Sequence, residues 1–248
     1  MSGKAVIAMW SGPRNISTAM MRAFENRADT AVWDEPFYAN YLAETGIDHP
    51  MRADVIAAGE TDADAVIARC LRLPDDPNRH GRAPDYWFQK HMTVHMRPEI
   101  PLGWTARARN FFLIRRPEAV LASYHDRRAD PTAGDVGFAR QVELFEEIAR
   151  LQGAPPPVID SDAVLAAPEH TLRALCEALA MPFDPAMLSW PPGGRTDDGI
   201  WAAHWYASVE TSTGFAPPRP PRPLPAHLKP LAEECRPYYE ALVAHALN

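Results

Sequence analysis

The first two dozen residues constrain this chain most. Lys4-Ala-Val-Ile-Ala-Met9 is an apolar run of strand length, and Ser11-Gly-Pro-Arg-Asn-Ile-Ser-Thr18 is a polar turn leading into Ala19-Met-Met-Arg-Ala-Phe24. Strand, turn and helix in that order open a βαβ unit, and the turn is where such a unit binds an anion. The first N–H groups of a helix have no partner inside it and point past its N-terminus, where the helix dipole adds about half a positive charge. Arg14 adds a full charge, and Ser17 and Thr18 add hydroxyl donors. A phosphate or a sulfate would be held by all of these together. The plainer alternative is a structural turn in which Ser17 caps the helix.

The turn also excludes something. A Walker A loop needs a second glycine and a lysine before its Ser/Thr. Here Gly12 stands alone, and the chain's lysines are Lys4, Lys90 and Lys229. Lys4 lies upstream of the strand, so an ordinary ATP- or GTP-binding loop lacks its central charge.

Further strand-like runs fall at 30–34, 86–91, 109–115 and 157–160, with the first at 4–10. Between them lie helical patterns, marked by Val66, Ile67, Cys70 and Leu71; by Phe138, Val142, Phe145 and Ala149; and by Leu172, Leu175, Cys176 and Leu179. Strands alternating with helices predict an α/β fold with a parallel sheet covered on both faces. In such sheets ligands bind beyond the carboxyl ends of the strands. Residues 1–248 read as one domain, in which a proline-rich segment, 216–225, leads to a last helix over roughly 226–247. The stretches 40–60 and 74–84 read as loops or short helices near the mouth of a site.

Composition narrows the partners. The 248 residues are 46% hydrophobic, enough for a substantial core, and no run approaches the roughly 20 apolar residues of a membrane span. The formal net charge of −7 argues against non-specific nucleic-acid binding but not against a nucleotide held by converging arginines. Cys70, Cys176 and Cys235 are far apart in no metal-like spacing, and with no signal-peptide pattern they predict reduced core thiols in a cytoplasmic protein.

A second motif follows the fourth strand: Phe111-Phe-Leu-Ile-Arg115-Arg116-Pro117-Glu-Ala-Val-Leu-Ala-Ser123. Arg115 ends a buried strand, Pro117 suits the first turn of a helix, and Ser123 lies about two turns into it. An arginine fork fits a phosphate bidentately, and a hydroxyl fills a remaining oxygen. A surface arginine pair and an incidental helix serine are the alternative.

Pro13-Arg14-Asn15-Ile16-Ser17-Thr18 resembles the 5′-phosphosulfate loop of the PAPS-dependent sulfotransferases, Pro-Lys/Arg-x-Gly-Thr/Ser-Thr, with Ile16 where that family usually has glycine. Arg115 and Ser123 match the family's 3′-phosphate site, an arginine at a strand end and a serine eight residues later. Gly193-Gly-Arg195-Thr-Asp-Asp-Gly199-Ile-Trp201 is similar to its late basic-glycine loop, and implies a 3′-phosphate role for Arg195. The resemblance implies a P-loop-like, three-layer αβα sandwich around a short, mainly parallel sheet. It implies 3′-phosphoadenosine 5′-phosphosulfate (PAPS) as donor, adenosine 3′,5′-bisphosphate as product, no metal, and a small-molecule or carbohydrate acceptor bearing a hydroxyl or amine. Arg14 would bridge to the leaving phosphate.

Two residues are candidates for the base that such a transfer needs near its acceptor. Glu35 follows the strand 30–34, as a glutamate base does in many bacterial and carbohydrate sulfotransferases. His91 follows Lys90 directly, where cytosolic sulfotransferases have Lys-x-His. Side chains alternate along a strand, so Lys90 and His91 should point to opposite faces. The expectation is Glu35 as base, with His91 and Lys90 as base or sulfuryl-stabilising partners. His95 stands four residues after His91, a spacing that on a helix could bind zinc, but no third ligand is apparent. Trp201, Trp205, Tyr206 and Phe215 could stack on adenine, line an acceptor pocket or pack as core. Competing readings are a small-molecule kinase, which would need a loop lysine and a magnesium carboxylate such as Asp34, and a non-catalytic anion sensor. A pyridoxal-phosphate enzyme would need a Schiff-base lysine, for which only Lys90 is plausibly placed.

Overall fold

The five apolar runs form five strands: β1 (Ala5–Ser11), β2 (Thr30–Asp34), β3 (Tyr86–Met92), β4 (Arg109–Ile114) and β5 (Val158–Asp160). The computed structural model describes residues 3–126, 130–218, 220 and 222–247. Two positions of the expected proline-rich segment, Arg219 and Pro221, and the ends of the single domain expected over 1–248 lie outside these described residues. The strands pair side by side in the order β2-β3-β1-β4-β5, and every pairing is parallel.

Parallel strands need crossovers, and the helices supply them on both faces. On β1, Ile7 and Met9 face one core together with Phe88, Phe111 and Leu113. Met20, Met21 and Phe24 of α1 (Ser17–Glu25) cover that face, and Phe24 stacks on Phe88 at 4.3 Å between ring centroids. Val6, Ala8 and Trp10 face the other core with Trp87, Phe112 and Ile114. Between β2 and β3 run α2 (Tyr38–Thr45), α3 (Arg52–Ala58) and α4 (Ala63–Cys70), of which α4 covers the second face. After β4 come α5 (Pro117–His125), α6 (Ala133–Val136) and α7 (Phe138–Gln152); α7 adds Leu144, Phe145 and Ile148 to the second core. After β5 come α8 (Ser161–Ala166) and α9 (Pro168–Ala178), and α9 returns to the first face through Leu172 and Leu175. The result is the expected three-layer αβα arrangement, and burial on both faces is why Val6–Trp10 of β1 and Phe111–Ile114 of β4 are apolar without interruption.

Beyond α9 the chain makes two short helices, α10 (Ala202–Trp205) and α11 (Ala207–Glu210), and then α12 (Lys229–Val243). The last helix is shorter than expected. A 3-10 turn occupies Ala226–Leu228, and after Val243 the chain leaves the helix so that Leu247 N–H donates to the Val158 carbonyl at 2.8 Å. An edge strand of three residues exposes unpaired backbone groups, and the C-terminal segment satisfies part of them. Stretch 40–60 contains most of α2 and all of α3, whereas 74–84 has no helix or strand. The three cysteines are buried and unpaired. No helix among the described residues is long and apolar enough to cross a membrane.

Candidate active site

The loops at the carboxyl ends of β1 to β4 surround a cavity of about 910 Å³, lined at its base by residues 13–19. This β1–α1 turn goes left-handed twice, with φ of 62° at Arg14 and 57° at Ile16. For a β-branched side chain that conformation costs about 1–2 kcal/mol. Ile16 thus adopts the backbone that glycine would adopt freely, at the position where the resemblance expects glycine. Strained backbone of this kind persists where surrounding structure over-determines it. Here Asn15 is the anchor: its Nδ2 donates to the Leu113 carbonyl at 3.0 Å, and its own carbonyl accepts from Ser161 Oγ at 2.9 Å. Ile16, not Ser17, is the helix N-cap, and no side chain caps that terminus. Ser17 and Thr18 begin α1 and line the cavity.

Arg115, Ser123 and Arg14 meet on one wall. Arg115 Nη1 donates to the Arg14 carbonyl at 2.8 Å, and Arg14 Nε donates to Ser123 Oγ at 2.9 Å. The neighbouring Arg116 turns instead to Asp162, at 2.6 Å. Burial lowers the Arg115 pKa from its ordinary value, and its Nε is buried with no acceptor among the described residues. A desolvated guanidinium with an unused donor is stabilised by an anion placed against it.

A second polar centre sits on the ends of β2 and β3. The register pairs Asp34 with Lys90. Lys90 Nζ donates to Asp34 Oδ1 at 2.7 Å, to Glu35 Oε1 at 2.5 Å and to the Tyr206 hydroxyl at 2.7 Å. Tyr206 donates its own proton to Asp34 Oδ2 at 2.6 Å, and Trp201 Nε1 donates to the Tyr206 oxygen at 3.2 Å. Gly199 N–H also donates to Asp34 Oδ2, at 3.2 Å; a Cβ on Gly199 would lie 2.1 Å from the Trp201 ring. Burial opposes the Lys90 charge, but Asp34 and Glu35 outweigh it and hold the ammonium pKa well above the usual range.

Glu35 is the reachable member of this group: its side chain is 11% exposed, against 1% for Asp34 and for Lys90. It has φ of 44° although it precedes Pro36, and residues before proline favour extended backbone. Its N–H donates to the Lys90 carbonyl at 2.9 Å, so backbone and carboxylate both grip Lys90. Burial pushes the Glu35 pKa up to about 7, with Lys90 opposing and Asp34 adding to the shift. Glu35 Oε2 lies 3.8 Å from His95 Nδ1, and that imidazole stacks on Tyr38 at 4.4 Å. Burial, reinforced by His49 and Lys90, holds the His95 pKa well below its usual value.

Two sequence-predicted residues are not in the cavity. His91 points through the opposite face of the sheet, as the alternation along β3 requires. Its ring stacks on Trp10 at 4.5 Å, packs near Phe37 and Trp104, and shares a hydrogen bond with Gln89 Oε1 at 3.1 Å. Burial lowers its pKa to about 3, so it is a neutral core histidine. Arg195 is likewise displaced from the expected phosphate contact. Its guanidinium lies 3.5 Å from the buried Glu25 carboxylate and donates to the carbonyls of Pro191, Gly193 and Gly194. It closes its own loop, while Asp198 of that loop pairs with Arg22 at 2.6 Å.

Pro13, Arg14, Asn15, Ile16, Ser17, Thr18, Glu35, Lys90, Arg115 and Ser123 all line the cavity. So do Trp205, Tyr206 and Phe215, whereas Trp201 packs edge-on against Tyr38. No group of three or more His, Cys, Asp or Glu side chains poised for a metal occurs among the described residues. Sequence reasoning missed Tyr206 as a partner of Lys90. In sequence, Asp34 has the look of a metal carboxylate and His95 of half a zinc pair. The parallel register would have placed Asp34 beside Lys90, but nothing local points from Tyr206 to residues over a hundred positions away.

A model of the sulfotransferase domain family matches residues 5–246. Two Arabidopsis thaliana proteins are similar in sequence. Branched-chain-amino-acid aminotransferase-like protein 1 is 36% identical over 246 residues, covering 99% of this chain and 43% of that protein. Branched-chain-amino-acid aminotransferase-like protein 2 is 34% identical over 242 residues, 97% of this chain and 42% of that protein. The chain therefore spans less than half the length of these curated relatives. Among solved structures, the sulfotransferase domain from the curacin biosynthetic pathway superposes with a TM-score of 0.54 at 17% identity, covering 95% of this chain and 99% of that one.

Proposed function

The chain belongs to the sulfotransferase domain family, and from that premise we propose that it transfers a sulfuryl group from PAPS to a hydroxyl or amine of a small-molecule or carbohydrate acceptor. We read residues 1–248 as one such domain. The observation that carries the reading is that one cavity joins an anion-binding turn, a desolvated arginine with an unused donor, and an ionisable carboxylate.

The donor set fits the nucleotide. The 13–18 turn and the N-terminus of α1 offer backbone and hydroxyl donors to the phosphosulfate, and Arg115 with Ser123 offers a guanidinium and a hydroxyl to a 3′-phosphate. When bound, PAPS supplies an activated sulfuryl group, whose bond to the 5′-phosphate oxygen breaks as the acceptor oxygen or nitrogen bonds to sulfur, leaving adenosine 3′,5′-bisphosphate. Glu35 takes the acceptor proton, a task suited to a carboxylate whose pKa lies near neutrality. Lys90 fixes one oxygen of that carboxylate, and the other lies 3.8 Å from His95 Nδ1. Arg14 supplies positive charge on the leaving side, and fixed cations of this kind supply most of the stabilisation in related group transfers.

A kinase reading is weaker because the turn has no lysine and Lys90 is held by Asp34 and Glu35 on β3. The same clamp keeps Lys90 an ammonium and makes it a poor Schiff-base nucleophile, so the names of the longer plant relatives do not transfer an aminotransferase site to this chain. Three buried, unpaired thiols fit a reducing compartment such as the cytoplasm.

The test is thermal unfolding with adenosine 3′,5′-bisphosphate and, separately, with ATP–Mg²⁺. A ligand that binds the folded state alone raises the melting temperature. A rise with the bisphosphate supports the reading; a rise with ATP–Mg²⁺ and none with the bisphosphate overturns it.

A further inference from the structure

Tyr206 completes a closed hydrogen-bond account that reaches Glu35 without touching it. An ammonium has three protons, and those of Lys90 go to Asp34, Glu35 and Tyr206. A phenol has one proton and two lone pairs; Tyr206 gives its proton to Asp34 and accepts from Lys90 and Trp201. Asp34 Oδ1 receives Lys90, while Oδ2 receives Tyr206 and Gly199 N–H. We propose that Tyr206 is a positioning residue: by occupying Asp34 Oδ2 and the third proton of Lys90, it keeps that ammonium shared between Asp34 and Glu35, and so sets the ionisation and aim of Glu35. The inference rests on the reading of Glu35 as the base.

The geometry leaves little slack. Lys90, Asp34 and Tyr206 are buried, so water does not replace a lost partner cheaply. Around Glu35, the ionisable neighbours are Asp34 from β2, Lys90 from β3, Tyr38 from α2, His95 from the turn after β3 and, through Lys90, Tyr206 at the α10–α11 junction. Of these only Lys90 is a cation that bonds Glu35, since His95 is held neutral by burial. Removing the Tyr206 hydroxyl leaves Asp34 Oδ2 with the longer Gly199 N–H contact alone, so its uncompensated charge draws Lys90 away from Glu35. Neutralising Asp34 does the reverse, releasing Lys90 to Glu35 and removing a like charge beside it.

The two changes therefore predict shifts of opposite sign in one observable. Protein carrying ¹³C-labelled glutamate carboxyls is titrated by NMR without ligand, and the Glu35 resonance is identified by its loss in Glu35→Gln. Tyr206→Phe should raise the Glu35 midpoint by about one unit, and Asp34→Asn should lower it by a similar amount. Trp201→Phe, which leaves the Tyr206 hydroxyl in place, should move it by less than about a third of a unit. In a turnover assay the acid limb of the rate profile of Tyr206→Phe should fall about tenfold and recover at higher pH, with the donor KM unchanged. A Glu35 midpoint unmoved in Tyr206→Phe overturns the proposal. If that variant does not fold, an unmoved or raised midpoint in Asp34→Asn overturns it. Failure of the sulfuryl-transfer reading would be visible separately, as absent bisphosphate binding, and would leave the ligand-free titration interpretable.

Discussion

Arg14 Nε donates to Ser123 Oγ at 2.9 Å, joining the turn after β1 to the second turn of α5. The Arg14 carbonyl in turn accepts from Arg115. The residues expected to meet two different anionic groups of one nucleotide are thus joined by hydrogen bonds.

Arg115→Ala tests the second anion. The substitution should weaken adenosine 3′,5′-bisphosphate about 10- to 100-fold, the worth of a charge-assisted hydrogen-bonded contact. Affinity for adenosine 5′-phosphosulfate, which has no 3′-phosphate, should change less than threefold by calorimetry. Equal losses for both ligands would make Arg115 a brace for the Arg14 carbonyl and nothing more.

Glu35→Gln should keep bisphosphate binding and abolish turnover. It should also change how stability depends on pH. The folded Glu35 pKa of about 7 lies above the ordinary value of 4.5, so the folded state holds a proton that the unfolded chain releases between those values. Stability from this group is therefore present at low pH and lost as pH rises from 4.5 through 7, by up to about 3 kcal/mol. Urea midpoints of the variant relative to the parent should rise across that window. A constant difference would place the carboxylate in a more solvated setting.

His91→Phe should retain turnover, because the ring lies on the other side of the sheet from Glu35 and Lys90. Its effect is on acid stability. The folded pKa of about 3 lies below the ordinary 6.5, so the unfolded chain takes up a proton that the folded one refuses. Stability is lost as pH falls below 6.5, by roughly 3 kcal/mol at pH 4. The variant should lose less stability than the parent between pH 7 and pH 4.5. An inactive but folded His91→Phe enzyme would reopen its place in the chemistry.

Ile16→Gly and Ile16→Ala probe the strained turn. Both delete the same partly buried packing against the core. Glycine is already the better N-cap of the two, and at φ of 57° alanine in addition keeps the steric strain that glycine avoids. The glycine variant should be more stable by about 1 kcal/mol, read from urea midpoints. The reverse order would mean that the turn relaxes once the branched side chain is gone.

The layered α/β plan was readable because it rests on local pattern. Runs such as Val6–Trp10 and Phe111–Ile114 are apolar at every position, as buried parallel strands must be, and Gly-Pro-Arg after the first of them marks its end. That the 13–18 turn, Arg115 and Ser123 border one cavity was readable because both are short motifs placed by one strand end and one helix start. The opposition of Lys90 and His91 followed from strand parity alone, although the sequence could not say which face held the cavity.

Other features depended on which distant segments pack together. Arg195 has the look of a phosphate ligand until Glu25, at the far end of α1, is placed beside it. Tyr206 has the look of one more aromatic in a packing stripe until its hydroxyl meets Asp34 and Lys90. By itself the sequence determined the strands, the charged turn and a glutamate at a strand end, because local sterics, burial periodicity and formal charge act over a few residues. Only the tertiary structure decided that Glu35 is the reachable carboxylate, its pKa raised by burial, and Asp34 the sequestered one. Burial and the sharing of one ammonium are set by side chains converging from three separate segments, and a linear pattern does not carry that convergence.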